Sequence, residues 1–291
     1  MRAARPSAPV LPALRLVRAG NVAVAFVGTV VGGLVARGTG IGLPVAFWIL
    51  LAFAAGSTAF VTAGGNVLND LVDREGDRTN HPDRPLVTGA VSVPGAKALA
   101  VALFVAGIAL AVPVVLVEPL VGGILAIAVG ALVAYEFRLK SRGFVGNHVV
   151  ALLTGLVFLY GASAAGNPLV VIPFAAMAYL STLSREVIKD MEDLRGDVDR
   201  STLPKRRGLP FASAVARAAV GIAIGVSAVP LLWFVSPLSV VGIMYLALVA
   251  ASDAMFVVSV RTLPDRLHRA QTMSKLAMTV ALLAFLAVAF R

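Results

Sequence analysis

The sequence contains no cysteine, which excludes disulfides, thiolate metal sites and cysteine nucleophiles and leaves the compartment open. Charge is scarce: 14% of the 291 residues are Asp, Glu, Lys or Arg, against about 25% in a soluble domain. Histidine occurs three times, at His81, His148 and His268, with no metal-ligand spacing among them. The short alternating segments of a membrane-spanning strand barrel are absent. Arg2, Arg5, Arg15 and Arg18 precede a long apolar run without a small-residue cleavage pattern.

The chain is instead 59% hydrophobic, with a mean hydropathy of +0.91. Apolar runs long enough to cross a bilayer core, about 20 residues as helix, lie near 13–36, 42–68, 92–113, 117–135, 147–166, 168–188, 210–230, 234–260 and 272–290. Together they predict an all-α membrane protein: nine transmembrane helices forming one domain over residues 1–291. Trp48 and Trp233 fall where interfacial anchors belong.

A net charge of +10 raises the question of nucleic acid. The positions answer it. With the N-terminus inside, 22 of the 25 basic residues fall in the N-terminal segment, in the connections on that same side or at the span ends next to them. The positive-inside rule therefore accounts for the charge and predicts a multi-pass protein of the cell membrane, N-terminus cytoplasmic and C-terminus outside. No nucleic-acid partner is needed, and nothing in the composition fixes an oligomeric state.

Of 15 acidic residues, 11 lie at 70–83 and 186–199. The stretches NDLVDREGD (69–77) and KDMEDLRGD (189–197) share the pattern DxxDxxGD, an internal repeat carried by 66–77 and 186–197. Offsets of three, four and seven place Asp70, Asp73 and Asp77 on one helical face, and Asp190, Asp193 and Asp197 on another. Asn66 extends the first row by a turn. Such rows can be solvated helix ends balanced by nearby Arg and Lys. Three like charges on one face repel, however, and doing this twice in so apolar a chain favours a counter-ion. Hard oxygen ligands suit Mg2+, which uses one or two carboxylates and completes its shell with substrate phosphates. Arg and Lys beside the acids fit a phosphate-bearing substrate.

NDLVDREGD, followed by RTNHPDRPLVTGAVS, resembles the first aspartate motif of the UbiA superfamily of intramembrane prenyltransferases, and REVIKDMEDLRGD resembles its second. YEFRLKSRGFVGN (135–147) is similar to that superfamily's connection between the fourth and fifth helices, and LRLVRAGN (14–21) to its first-helix entry. The resemblance implies a helical bundle around a central cavity with a lateral opening to lipid, the two motifs facing each other at the cytoplasmic mouth. It also implies loss of diphosphate from an isoprenyl diphosphate, assisted by Mg2+, and capture of the allylic cation by an acceptor. By motif position, Asn66, Asp70, Asp73, Asp77, Asp190, Asp193 and Asp197 would be the metal residues. Lys140, Arg74 and Lys189 would take the diphosphate. Arg18 and Asn21 would line the cavity, with Asn147 and Arg185 also contacting substrate.

Arg185 stands where quinone-type members commonly have Tyr. This form is most similar to the archaeal ether-lipid branch, which implies geranylgeranyl diphosphate as donor and geranylgeranylglyceryl phosphate, a lipid phosphate, as acceptor. Aromatic prenylation is the alternative within the enzyme class. A cation-coupled transporter is the alternative outside it, and Asp253, the one acid well inside a span, is the residue that would serve it. Asp253 reads equally as a hydrogen-bonded tie between helices. The connections at 78–89 and 199–208 read as segments able to close over the diphosphate.

Overall fold

A computed structural model describes residues 10–38, 42–195 and 201–291. Twelve α-helices follow one another: α1 (Val10–Val17), α2 (Ala19–Arg37), α3 (Val45–Val72), α4 (Arg74–Asn80), α5 (Val93–Val117), α6 (Leu120–Ala134), α7 (Phe144–Ala164), α8 (Ile172–Glu192), α9 (Leu203–Ser227), α10 (Val229–Trp233), α11 (Val240–Arg261) and α12 (Leu267–Val288). Among the described residues, nine helical segments are long and apolar enough to cross a membrane, as the sequence predicts. Both aspartate motifs lie at one end of the bundle, which we call the acidic end. Trp48 and Trp233 are exposed near the other.

Short connections make sequential helices antiparallel neighbours, and a membrane bundle of this kind is held by close packing and hydroxyl ties. Ser184 donates to the Ala216 carbonyl (3.1 Å) and so joins α8 to α9. Ser252 and Ser259 on α11 donate to Ala277 (2.9 Å) and Ala270 (2.8 Å) on α12. Small residues allow a close approach between α2 and α7. A Cβ on Gly161 would collide with the Thr29 carbonyl, and one on Gly32 with the Phe158 backbone. At the end opposite the acids, Val31 and Val35 of α2 share a core with Phe158 of α7, Phe174 of α8, and Phe285 and Val288 of α12.

Three departures from regular helix shape the acidic end. The first predicted span is not one helix: it breaks at Arg18, which has φ 53° and ψ 64°. Arg18 is the one non-glycine with positive φ among the described residues. Asn66 donates to the carbonyl of Val17 at this break (2.8 Å), satisfying a helix-end acceptor. Leu16 on α1 is fully buried in a core with Val67 of α3 and Ala96 and Ala100 of α5. Second, α6 ends in a π-helical turn, Tyr135–Leu139, and a 3₁₀ turn, Lys140–Arg142. Such insertions re-aim side chains and recur at functional sites. Third, α9 is kinked at Gly208 (φ 82°) just before Pro210, so its regular part starts where the sequence predicts.

Candidate active site

The first aspartate row is nearly continuous helix. The amides of Asp73 and Asp77 donate to the carbonyls of Asn69 and Asp73, both at 2.9 Å, across the junction of α3 and α4. Its carboxylates are divided among cations. Arg18 and Arg84 (3.3 Å) both reach Asp70, and Arg84 also pairs with Asp77. Lys140 bonds Asp73 at 2.5 Å and Glu136 at 3.2 Å. Asn69 links the two groups: it accepts from Arg18 (2.8 Å) and donates to Glu136 (3.0 Å). Asp70 and Asp77 are buried. Burial lifts the Asp77 carboxyl above its ordinary pKa; Arg84 opposes this, and Asp73 and Asp70 add to it.

The second row closes α8. Asp190 is buried and accepts from the Asn147 carboxamide of α7 (2.8 Å). Arg185 pairs with Glu186 at 2.6 Å, and Lys189 stands 3.9 Å from the same carboxylate. Asp193 opens a 3₁₀ turn, Asp193–Arg195. Asp197 lies outside the described residues, so its place in the row is not part of this geometry.

Both rows face one cavity of about 1620 Å³, larger than the roughly 300–1,000 Å³ of an ordinary small-molecule site. From the first motif, Asn66, Asp73 and Asp77 reach its wall; from the second, Arg185, Lys189 and Asp193 do; Arg18, Asn21 and Lys140 complete the predicted set there. Asp70, Asp190 and Asn147 sit behind the wall as buried supports. Arg74 is off the wall, beside Glu75 at 3.9 Å. The remaining lining is mostly apolar, and Phe158 and Phe285 are on the wall at the far end, with ring centroids 5.7 Å apart.

Against models of known families, residues 25–286 match the UbiA prenyltransferase family. The chain belongs to the UbiA prenyltransferase family. It is thus a multi-pass membrane prenyltransferase. A UbiA relative from Methanoregula boonei, named digeranylgeranylglyceryl phosphate synthase, is 40% identical over 242 residues, 82% of this chain and 81% of its own. One of the same name from Haloquadratum walsbyi is 38% identical over 281 residues, 94% and 92% of the two chains. A solved structure from work on digeranylgeranylglyceryl phosphate synthase in membranes superposes with a TM-score of 0.78 at 30% identity, covering 97% of this chain and 99% of that one.

Three residues that organise the site lie within the stretches resembling UbiA but have no role assigned from sequence. Arg84 spans two carboxylates of the first row and ties down the connection at 78–89. Glu136 and Asn69 join that row to Lys140. Glu136 carries a signal in hindsight: it is the one acid at the end of an apolar span, four residues before a lysine. Asp253 has the hydrogen bond of a tie between helices. It accepts from Ser227 of α9 at 2.8 Å, tying helices, and it also lines the cavity.

Proposed function

We propose that the protein transfers a geranylgeranyl group from geranylgeranyl diphosphate to the hydroxyl of geranylgeranylglyceryl phosphate, forming the second ether of an archaeal membrane lipid. The observation that carries this reading is the convergence of two aspartate motifs on one end of a single long, apolar-walled cavity. A polyprenyl tail is stabilised along such walls, while its diphosphate stays at the polar end beside Arg18, Lys140 and Lys189. The relatives' shared name supports the choice of acceptor, as does Arg185 on the wall, since a guanidinium suits a phosphate-bearing molecule.

The donor set fits a divalent metal. Among the described residues no three acidic or histidine side chains form a closed cage, and Mg2+ does not require one, because one or two carboxylates and substrate phosphates suffice. Asp73 and Asp77 from the first row and Asp193 from the second would hold it, with Asp70 and Asp190 behind them. Bound Mg2+ would supply Lewis-acid stabilisation of charge on the leaving diphosphate.

The chain's own residues do the rest. Lys140, placed by the π-helical turn, and Arg18, placed by the helix break, are cations at the position where negative charge grows. The bond from C1 to the diphosphate oxygen breaks, its electron pair leaves with the diphosphate, and the acceptor hydroxyl bonds to C1 and releases its proton at the polar mouth. The apolar walls keep water from the allylic cation. We place the acidic end at the cytoplasmic face, on the distribution of basic residues.

The test uses protein in nanodiscs with Mg2+ and labelled geranylgeranyl diphosphate, offered geranylgeranylglyceryl phosphate or 4-hydroxybenzoate separately. Label should move to the glycerol lipid and be lost in Asp73→Ala and Asp193→Ala. Transfer only to the aromatic acid would replace the acceptor and keep the motif assignment.

A further inference from the structure

The site described so far uses one end of the cavity, yet the cavity wall carries polar groups further in. Lys275 projects from α12, eight residues inside its span, and is exposed on the cavity wall. Among the described residues it has no ion-pair partner. A charged side chain within a membrane span is costly and marks function by default. On α8, Thr182 also faces the cavity; it is 3% exposed and its hydroxyl has no hydrogen-bond partner. A buried hydroxyl left unpaired is destabilising, so it too points to something it is meant to meet.

The register between helices gives the depth of these groups below the mouth. Glu192 of α8 accepts from Gln271 of α12 at 2.8 Å, which fixes a common level for two antiparallel helices. At 1.5 Å per residue, Lys275 lies about 6 Å deeper than that level and Arg185 about 10 Å deeper; Thr182 is one turn further on. Asp193, the cavity-facing acid of the second motif, directly follows Glu192 and so is at the mouth side of that level. Two acids are close to this patch. Glu186 pairs with Arg185, and Asp253 of α11, at the height of Lys275 by the Ser252–Ala277 bond, is turned to Ser227. Lys275 remains the unpaired cation.

We propose that Lys275, with Arg185 and the Thr182 hydroxyl, forms the seat for the acceptor's phosphate, separate from the aspartate motifs that hold the donor's diphosphate. This rests on the ether-lipid reading above. In a glycerol phosphate, the free hydroxyl and the phosphorus are only a few bonds apart. A phosphate held several ångströms inside the mouth therefore leaves the hydroxyl in reach of C1 of a donor whose diphosphate is at the mouth. Lys275 is then the residue that distinguishes a phosphorylated acceptor from a neutral one.

The test compares the wild-type protein, Lys275→Gln and Lys275→Arg, each with saturating donor, on geranylgeranylglyceryl phosphate and on geranylgeranylglycerol. Lys275→Gln should lower kcat/KM for the phosphate lipid about ten- to a hundredfold, the worth of one charge-assisted bond. It should leave kcat/KM for the neutral lipid and KM for the donor unchanged, and Lys275→Arg should restore most of the loss. An equal fall on both acceptors, or an undiminished preference for the phosphate, would overturn the seat while leaving the proposed function in place. If the wild-type protein prenylates 4-hydroxybenzoate and neither glycerol lipid, the function and the seat fall together.

Discussion

Replacing Arg18 by glycine, alanine and lysine separates what its backbone does from what its side chain does. The residue holds a left-handed conformation, which costs a side-chain-bearing residue roughly 1–2 kcal/mol. Against that stand its bonds to Asn69 and Asp70. The Asp70 side chain is 4% exposed, and without Arg18 it keeps Arg84 at 3.3 Å. Because the Arg18 side chain is 33% exposed, we assign these bonds about 1.5–3 kcal/mol, the range for hydrogen bonds to charged groups, rather than the larger figure for breaking a fully buried pair. Alanine loses the bonds and keeps the strain. Glycine loses the same bonds and recovers about 1 kcal/mol of strain. Lysine keeps a charge without the fork and falls between wild type and glycine. The expected order of thermal stability is wild type, lysine, glycine, alanine, with each kcal/mol worth a few degrees. Intrinsic fluorescence of Trp48 and Trp233 in detergent at one fixed scan rate reads it. Equal stability of the alanine and glycine variants would refute the strain; an alanine variant as stable as wild type would refute the Arg18–Asp70 bond as a support.

Two more outcomes follow from the fold. Phe285 is 3% exposed and meets Phe174 and Phe158 edge-on, with centroids 4.9 and 5.7 Å away, so Phe285→Ala should deepen the far end of the cavity. We expect kcat/KM for geranylfarnesyl diphosphate over geranylgeranyl diphosphate to rise about tenfold or more, at a stability cost of about 3–5 kcal/mol; unchanged chain-length preference would place the limit elsewhere. Because the chain has no cysteine, single substitutions report topology cleanly. Leu238→Cys, at a position 90% exposed, should react with a membrane-impermeant maleimide on intact cells. His268→Cys, at the acidic end with a side chain 89% exposed, should react only after permeabilisation; the reverse pattern would invert the orientation.

The membrane class, the helix count and both aspartate motifs were legible because each depends on neighbours in sequence: runs of about 20 apolar residues and carboxylates three and four apart. What could not be read depends on contacts between distant residues. LRLVRAGN carries no proline, and its glycine stands two places after the break, so the left-handed Arg18 leaves no mark in the sequence. Its reason lies 51 and 52 residues away, in Asn69 and Asp70. Arg74 sits inside the first motif but off the cavity, while Arg84, outside that helix, returns to clasp Asp70 and Asp77. Adjacency favoured the first; only the folded chain shows the second.

The seam between α2 and α7 limits how this enzyme can change. Where the carbonyl of Thr29 occupies the space of a Cβ on Gly161, and the Phe158 backbone that of a Cβ on Gly32, neither helix can gain bulk or rotate without parting the pair. The cavity wall on that side, which includes Ala25 of α2 and Val157 of α7, is therefore backed by two helices that cannot shift freely. The far end of the cavity, by contrast, is closed by aromatic side chains that a single codon change can shorten. Descendants of this protein can reach lipids with longer tails in one step, whereas widening the channel beside the seam would require several changes at once, most of them destabilising when taken alone.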